Sequence, residues 1–406
     1  MGGTVRGGPL VSAQLIETLG VGGAERLAVQ IAAARAEAGD RSHLYVTGGP
    51  GPLSDTVPPE VTLRHLGLER ASVKNPAAFA ASLMKGRALL LDHLRRDGVE
   101  VVQTHLPGAN FWGLLLRRTG GVSAVPTIHN NREFDYGDAD HWLRARFRRG
   151  AYRMMIRSCP AVVAVSELVR DSMAEQLGLS PAERERMAVV PNGVPLPQPL
   201  APEARRELRE RFGADEETPL IVAAGRHTPQ KNFGTLIEAA GILRGQGLRL
   251  RLVIAGDGEL RAGHADAVRR AGLDDTVLLP GNLSDLGRVL QAADVFVLPS
   301  LWEGLPLVLL EAMAAGCAVV GTRIAGVVEV LRDGENGRLV APGEAAPLAA
   351  VMAELAAAPD TRTRLARAAR ADVEARYSFR RVAQDLGDLY LRVARGATHP
   401  TPRGTP

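Results

Sequence analysis

The segment DVFVLPSLWEGLPLVLLEAMAAGCAVVGT, residues 294–322, holds one complete unit of the pattern that decides the fold. Residues 294–300 and 317–322 are apolar runs of strand length. Between them lie a short loop with glycine and proline and the helical run LVLLEAMAA. Parallel strands need a crossover connection, which is usually a helix. A helix between two strands therefore predicts that the strands run parallel in one sheet. The segment therefore predicts an α/β domain with a parallel sheet.

The same alternation of short apolar runs and helical patterns continues along the whole chain. In the first half the predicted strands cover residues 11–18, 42–47, 61–66, 99–105, 124–130, 161–166 and 187–193. In the second half they cover residues 219–225, 250–256, 276–281, 294–300, 317–322 and 337–341. Each half predicts a doubly wound sheet, which binds ligands beyond the carboxyl ends of its strands.

The length and a cluster of prolines predict two domains. A chain of 406 residues exceeds what one hydrophobic core organises, and four prolines between positions 195 and 202 indicate a linker. We expect an N-terminal domain over residues 1–195 and a C-terminal domain over residues 196–378. Residues 379–396 predict a final helix that could cross back to the first domain, and residues 397–406 a disordered tail.

The composition is typical of a soluble globular protein, with 46% hydrophobic and 23% charged residues. No apolar run approaches the ~20 residues that span a bilayer, and the start MGGTVRGGPL lacks the apolar core of a signal peptide. Cys159 and Cys317 lack a metal-binding spacing, so we interpret both as core residues in a reducing compartment. These features predict a cytoplasmic location, and an aromatic content of 4% argues against nucleic-acid binding.

The net charge of +4 arises in the first half, where residues 1–195 hold 23 Arg and Lys against 19 Asp and Glu. In residues 141–158, helical spacing places four arginines on one stripe and three apolar residues on another. The arginines are Arg146, Arg149, Arg153 and Arg157, and the apolar residues are Leu143, Phe147 and Met154. One interpretation is a solvated helix face. The other is a surface for anionic phospholipid or a phosphorylated acceptor at the inner face of the cell membrane.

Residues 223–240, AAGRHTPQKNFGTLIEAA, place two cations where a strand ends and a helix begins. Gly225 ends the strand, Arg226 and Lys231 follow, and the helix begins near Asn232. Two cations and the positive end of a helix together form an anion site. Lys231 is the only lysine after the linker, and its compact ammonium contacts a phosphate oxygen differently from a guanidinium. The loop therefore predicts a phosphate-binding site.

Two glutamates lie in the opening segment, Glu303 in its loop and Glu311 two turns into its helix. Gly304 and Pro306 shape the turn between them. Carboxylates accept hydrogen bonds from pairs of hydroxyl groups, and a sugar nucleotide offers such pairs on its ribose and its hexose. We place both glutamates across a cleft from the two cations, where they hold sugar hydroxyls rather than move protons. The alternative for each glutamate is a structural ion pair or a helix-cap contact.

In the first half, Gly22 and Gly23 stand between a strand and a helix, where backbone N–H groups can approach a diphosphate. A plain tight turn would give the same pattern. His105 and His129 each end a predicted strand, and adjacent strand ends would bring them to one site.

Three carboxylates, Asp135, Asp138 and Asp140, could in principle hold Mg²⁺ or Mn²⁺. Their polar neighbours favour a loop and helix cap, so we predict no metal site.

Seven segments together resemble the family 4 retaining glycosyltransferases, or group 1 glycosyl transferases. They are GGAER (22–26), His129 after its strand, VAVSE (163–167), VVPNGV (189–194), GRHTPQKN (225–232), AGDGEL (255–260) and the two glutamates of residues 303–311. The resemblance covers most of the chain, and Trp302 and Leu305 are minor departures. It implies the GT-B fold, two Rossmann-like doubly wound domains that face each other across a cleft.

The resemblance also implies that residues 1–195 form the acceptor-side domain and residues 196–378 the nucleotide-sugar donor domain. It further implies roles for single residues. Arg226 and Lys231 would contact the donor diphosphate, Glu303 the transferred sugar and Glu311 the ribose. His129 would approach the reacting sugar, so the predicted catalytic residues are Glu303, His129, Arg226 and Lys231. The other predicted donor-binding residues are Gly22, Gly23, Gly256, Asp257, Gly258, Leu283, Gly304, Leu305 and Pro306. The other predicted acceptor-side residues are His105 and Ser166.

The implied reaction transfers a sugar from a UDP- or GDP-linked donor to a saccharide, lipid-linked or small-molecule acceptor. The resemblance implies retention of the anomeric configuration without a metal or other cofactor. Three alternatives stay open: a sugar-nucleotide epimerase, a glucan synthase, and a non-catalytic protein that binds nucleotide sugars.

Overall fold

The computed structural model describes residues 9–20, 22–68, 76–130, 134 and 142–396, with the backbone alone at residues 76, 79 and 142–144. These residues form two compact units. The first unit contains the described residues up to Pro191 and from Val382 onward, and the second contains Asn192–Arg381.

The first unit is built on a parallel sheet. Its strands are β1 (Val11–Ile16), β2 (Arg41–Val46), β3 (Val61–His65), β4 (Val101–His105), β5 (Arg118–Thr119), β6 (Val122–Ile128), β7 (Val162–Ala164) and β8 (Met187–Val189). Their order is β3-β2-β1-β4-β6-β7-β8, and the short β5 pairs antiparallel with β6. The central strands are buried along their whole length, which explains why they read as continuous apolar runs.

The helices of the first unit up to residue 191 are α1 (Gly23–Glu37), α2 (Pro76–Arg96), α3 (Leu106–Leu116), α4 (Trp142–Ser158), α5 (Glu167–Leu177) and α6 (Pro181–Arg184). They connect parallel strands, as crossover helices must. Trp112, Leu90 and Leu94 pack with Leu15 and Val102 in one core cluster.

The second unit has a six-stranded parallel sheet in the order β11-β10-β9-β12-β13-β14. Its strands are β9 (Leu220–Ala224), β10 (Arg251–Ala255), β11 (Val277–Gly281), β12 (Val295–Leu298), β13 (Ala318–Thr322) and β14 (Arg338–Val340). Its helices are α7 (Pro202–Arg211), α8 (Phe233–Gly245), α9 (Arg261–Arg270), α10 (Leu286–Ala292), α11 (Leu307–Ala315), α12 (Ala325–Val328), α13 (Ala345–Ala357) and α14 (Pro359–Asp372), followed by a short π-helix, Val373–Tyr377.

Each sheet reverses its strand order beside its first strand. In the first unit β1 lies between β2 and β4, and in the second β9 lies between β10 and β12. At such a reversal the crossover connections diverge and leave a crevice beyond the carboxyl ends of the strands, where doubly wound proteins bind ligands. The loops after β9 and β12 therefore border the binding position of the second unit.

The predicted α/β class with two doubly wound parallel sheets is confirmed, and so are all thirteen predicted strands. The structure adds β5, whose two residues are too few to show any alternation. Both cysteines are buried as expected, and burial raises the pKa of both thiols. Within the described part of the chain, no helix combines the length and apolar character that a membrane span requires. The predicted tail lies outside the described residues.

The last helix, α15 (Phe379–Ala394), packs within the first unit from Val382 onward. Arg35 of α1 holds it by donating a hydrogen bond from Nη1 to the carbonyl of Ala383 at 3.4 Å. The guanidinium is fixed in turn by Asp40 at 2.5 Å, and Gly387 leaves the space that it occupies.

A Cβ added at Gly387 would overlap the Arg35 guanidinium. We expect Gly387→Ala to destabilise the first unit by roughly 1–3 kcal/mol, as other overpacked sites do, and to lower its urea midpoint. Gly150→Ala in α4 is the matched control, because nothing lies within 4 Å of its added Cβ and alanine favours helix. An unchanged midpoint for Gly387→Ala would show that Arg35 does not hold α15.

Candidate active site

An ion pair lies at the reversal point of the second sheet. Lys231, in the loop after β9, contacts Glu303, in the loop after β12, with 2.5 Å between Nζ and Oε1. The two side chains are only 14% and 9% exposed. The expectation that a cleft separates Glu303 from the cations is therefore wrong for Lys231. The pair joins the two loops that border the crevice.

Two further side chains hold the Glu303 carboxylate. Ser300 donates its hydroxyl to Oε1 at 2.7 Å, and Gln230 donates its amide to Oε2 at 3.3 Å. Gln230 also donates to the carbonyl of Trp302 at 2.9 Å. Neither residue is among the predicted site residues, although Gln230 precedes Lys231 and Ser300 lies three residues before Glu303. With three donors, the carboxylate is fixed in position before any ligand arrives.

The loop after β10 packs directly on the loop after β9. Gly256 has φ 128°, and a Cβ there would overlap the carbonyl oxygen of Gly225. Gly258 has φ 153°, and a Cβ there would lie 2.6 Å from the carbonyl oxygen of His227. Only glycine fits this close approach of two backbones. The predicted donor-binding residues Gly256, Asp257 and Gly258 thus adjoin the loop after β9 that carries Arg226 and Lys231.

The other predicted cation, Arg226, is exposed on the same loop as Lys231. Asn232 stands at the N-cap of α8 with φ 52°, and its amide donates to the carbonyl of Pro299 at 3.3 Å. This bond again ties the loop after β9 to the end of β12. The first turn of α8, Lys231 and Arg226 therefore lie on one connected segment.

The turn that carries Glu303 is itself buried. Asn192 donates its amide to the carbonyl of Leu305 at 3.0 Å, and a Cβ at Gly326 would overlap the carbonyl oxygen of Gly304. Pro306 is the N-cap of α11, so the helix begins at Leu307. Neither Asn192 nor Gly326 is among the predicted site residues, although Asn192 lies in the motif VVPNGV (189–194).

Glu311 is half-buried on α11 and lies one turn into the helix. The predicted helical run LVLLEAMAA matches α11, but the expected position of Glu311 two turns in is wrong, because the fifth residue of a helix lies about one turn of 3.6 residues from its start. Leu283 is half-buried between β11 and α10. The strand before Leu283, β11, is at the edge of the sheet and is separated from β12 by β10 and β9.

In the first unit, Gly22 is the N-cap of α1 and Gly23 its first residue. No side chain caps this end, and a Cβ at Gly22 would overlap the carboxylate of Glu25. The glycines therefore stand where the prediction places them, between β1 and a helix N-terminus. Ser166 is buried, and its hydroxyl caps α5 by accepting a hydrogen bond from the Val169 N–H at 3.1 Å.

His105 is the last residue of β4 and His129 directly follows β6, and these neighbouring strands bring the two rings together. Nδ1 of His105 lies 3.2 Å from Nε2 of His129. Burial lowers the pKa of His129 to about 4 and the pKa of His105 well below its usual value, so both rings are neutral at pH 7. His105 is completely buried, and only His129 is partly accessible.

Leu106, directly after His105, has φ 69°. A branched residue in the left-handed region costs about 1–3 kcal/mol and persists where the surroundings over-determine it, often at functional sites. The strain marks this strand end as a constrained position.

The basic helix exists as α4, with Phe147 68% exposed and Met154 48% exposed. Arg153 donates to the carbonyl of Leu177 at 2.5 Å, and Arg157 pairs with Glu183 at 2.5 Å. Both arginines, with Arg146 and Arg149, are nevertheless exposed. The side chain of Leu143 and the three aspartates at 135, 138 and 140 lie outside the described residues.

Two family models match the chain. Residues 21–198 match "Glycosyltransferase Family 4", and residues 204–372 match "Glycosyl transferases group 1". The chain is similar to alpha-D-kanosaminyltransferase of Streptomyces kanamyceticus, with 31% identity over 309 residues, 74% of this chain and 79% of that protein. It is also similar to a D-inositol 3-phosphate glycosyltransferase of Pseudarthrobacter chlorophenolicus, with 28% identity over 390 residues, 92% of this chain and 91% of that protein.

The fold is similar to that of HepE from Anabaena, solved in complex with UDP, with a TM-score of 0.77 and 19% identity over 94% of this chain and 99% of HepE. HepE in complex with UDP-glucose gives a TM-score of 0.76, with 20% identity over 93% of this chain and 98% of HepE. The chain belongs to the family 4 glycosyltransferases, and its two Rossmann-like units are those of the GT-B fold.

The Lys231–Glu303 contact can be measured without any substrate. In a double-mutant cycle with Lys231→Met and Glu303→Gln, we expect a coupling energy of roughly 0.5–3 kcal/mol, because each single change leaves a buried partner uncompensated. Urea unfolding gives the four stabilities. The exposed pair Arg249 and Asp215, 3.1 Å apart, is the control and should couple by less than about 1 kcal/mol. Additive effects of the two changes at Lys231 and Glu303 would contradict the contact.

Proposed function

We propose that the protein transfers a sugar from a UDP- or GDP-linked donor to a saccharide, lipid-linked or small-molecule acceptor, with retention and without a metal. The observation that carries the proposal is the Lys231–Glu303 pair at the reversal point of the second sheet. It joins a cation suited to phosphate with a carboxylate suited to sugar hydroxyls. The complexes of HepE with UDP and with UDP-glucose support a nucleotide-sugar donor.

The pair explains how one site can hold two chemically different parts of the donor. In the proposal, Lys231 and Arg226 contact the diphosphate, and Glu303 accepts hydrogen bonds from the transferred sugar. Since Ser300 and Gln230 already fix the carboxylate, Glu303 keeps its position when Lys231 turns to the phosphate.

Other predicted residues complete the donor site in this proposal. Glu311 holds the ribose hydroxyls, and the loop of residues 256–258 with Leu283 faces the nucleoside. Gly22 and Gly23 offer backbone N–H groups to the phosphates, and His129 approaches the transferred sugar. Gly304, Leu305 and Pro306 hold the Glu303 turn, while His105 and Ser166 support the acceptor-side strand ends.

In this proposal Arg226 and Lys231 supply the positive charge that a metal ion would otherwise supply. Breaking the bond between the sugar and the diphosphate develops negative charge on the leaving phosphate, so fixed cations stabilise the transition state more than the bound substrate. In the proposed retaining step the acceptor oxygen bonds to the anomeric carbon on the face that the phosphate leaves. The bonding electrons go to the leaving phosphate oxygen, which takes the proton of the acceptor hydroxyl.

We also propose that α4 contacts anionic lipid, which would bring the protein to a lipid-linked acceptor at the inner face of the cell membrane. Phe147 and Met154 are two helical turns apart, so they lie on one side of α4, and both are exposed. Exposed arginines at 146, 149, 153 and 157 flank them. Apolar side chains beside guanidinium groups are the composition of helices that bind in the plane of an anionic membrane.

Lys231→Ala and Glu303→Ala should each lower kcat for sugar transfer by roughly 100-fold or more, because Lys231 stabilises the charge on the leaving phosphate and Glu303 holds the transferred sugar in position. Thermal-shift screening of nucleotide sugars first identifies the donor, since a ligand stabilises the native state in proportion to its affinity. The control is Arg206→Ala on α7, whose side chain is 58% exposed and lies outside these loops.

Near-normal turnover in both site variants would contradict the assignment. Product analysis separates the other activities: a sugar epimer formed without acceptor indicates an epimerase, and a ladder of polymers indicates a glucan synthase. Binding without transfer to any extracted acceptor indicates a non-catalytic protein.

In vesicle flotation, Phe147→Ser with Met154→Ser should reduce binding to anionic vesicles by roughly 10-fold or more, since a buried large apolar side chain contributes about 1.5–3 kcal/mol. Met84→Ser on α2 is the control, because Met84 is 66% exposed in the same unit. Equal binding of the wild type to neutral and anionic vesicles would remove the role of the arginines.

A further inference from the structure

A chain of buried hydrogen bonds leads from His129 to the last helix. His129 Nε2 lies 3.2 Å from His105 Nδ1, and His105 Nε2 lies 2.8 Å from Gln14 Oε1. On its other side Gln14 donates from Nε2 to the hydroxyl of Tyr390 at 3.1 Å. The strands β1 and β4 and the helix α15 thus contribute to one continuous connection.

The chain continues beyond the tyrosine and ends in the sheet. The hydroxyl of Tyr390 donates to Gln103 Oε1, and Gln103 donates from Nε2 to the hydroxyl of Thr127 at 2.8 Å. Gln14, Gln103 and Tyr390 are buried among apolar residues of the first unit. Buried polar groups of this kind are costly unless they are fully hydrogen-bonded, so their arrangement is strongly determined.

The directions of the hydrogen bonds follow from the orientation of the Gln103 amide, whose Nε2 faces Thr127 and whose Oε1 faces Tyr390. Gln103 offers its oxygen to Tyr390, so the phenol donates there, and burial raises the pKa of that phenol and keeps its proton in place. Tyr390 therefore accepts from the Gln14 amide N–H, which leaves Gln14 Oε1 to face His105.

The histidine tautomers follow in turn. His105 must carry its proton on Nε2 to donate to Gln14 Oε1. A neutral ring with a proton on Nε2 has a bare Nδ1, so His105 accepts from His129. His129 must then carry its own proton on Nε2, which leaves its Nδ1 with a free lone pair.

We propose that Tyr390 is a positioning residue: through Gln14 and His105 it holds His129 with the proton on Nε2, so that Nδ1 accepts a hydrogen bond from a substrate hydroxyl. The part that concerns the substrate rests on the proposed function. Tyr390 of α15 thus sets the tautomer of His129 through two intermediate residues, Gln14 and His105.

The proposal predicts that both histidine tautomers change in Gln103→Leu. A purely structural role for Tyr390 predicts no such change. In Gln103→Leu the Tyr390 hydroxyl loses its acceptor and donates to Gln14 instead. The Gln14 amide then turns and donates to His105 Nε2, so the proton of His105 moves to Nδ1 and is donated to His129 Nε2. His129 must then carry its proton on Nδ1.

The test uses the full chain labelled with ¹⁵N-histidine and long-range ¹H–¹⁵N correlation spectra, which distinguish the two neutral tautomers. His129→Asn and His105→Asn assign two of the nine histidines. We expect Nε2–H for both rings in the wild type and Nδ1–H for both in Gln103→Leu. If Gln103→Leu does not fold, Tyr390→Phe should replace the single wild-type tautomer of His129 by a mixture.

Tyr45→Phe is the matched control, because Tyr45 is a buried tyrosine of the same sheet whose hydroxyl donates to Asp97. It should leave both tautomers unchanged. Nδ1–H for His129 in the wild type, or unchanged tautomers in both Gln103→Leu and Tyr390→Phe, would overturn the proposal.

These spectra need no substrate, so they stand even if no sugar transfer is found, in which case only the proposed function fails. With an active preparation, Tyr390→Phe should lower kcat by roughly 10- to 100-fold while KM for the donor changes little. Tyr45→Phe should keep the wild-type kcat.

Discussion

The ion pair between Lys231 and Glu303 is the contact on which the account of the second unit depends. It exists because β9 and β12 are neighbours in the sheet although 72 residues separate the two side chains. The strand reversal puts their loops side by side, and Ser300, Gln230 and Asn232 hold those loops in place. The glycines after β10 let a third loop approach without side chains between the backbones. A rigid, charged edge of the sheet results.

The sequence was sufficient to predict the strands and the types of residue that follow them at the candidate site. Apolar runs of strand length have a strong pattern, so all thirteen predicted strands are present, and the cationic loop and the glutamate turn follow strands as expected. What the pattern lacks is the order of strands within the sheet. Because the sequence does not show this order, it does not reveal that Lys231 and Glu303 are neighbours. The prediction of a cleft between them is wrong for this reason. The predicted helical run LVLLEAMAA coincides with α11, and Pro306 is its N-cap residue.

The buried network of the first unit shows a second limit of sequence reasoning. Gln14 and Gln103 interrupt apolar strands and Tyr390 lies on an amphipathic helix, so each reads as an isolated exception. Their meaning depends on partners up to 376 residues away in sequence. A polar residue inside a buried strand is the signal that could have found them, since such a group needs a partner. His129 was identified because it ends a strand, but its tautomer is decided by residues that the sequence does not connect to it.

In the proposed reaction the Lys231–Glu303 pair separates when the donor binds, and Lys231 contacts the phosphate while Glu303 contacts the sugar. A crystal structure of the full chain with the nucleotide sugar that stabilises it most tests this directly. We expect Lys231 Nζ to lie within hydrogen-bond distance of a diphosphate oxygen. Glu303, still held by Ser300, should accept a hydrogen bond from a hydroxyl of the sugar. A donor bound elsewhere, or one bound at this edge with the original ion pair intact and no sugar hydroxyl on Glu303, would contradict it.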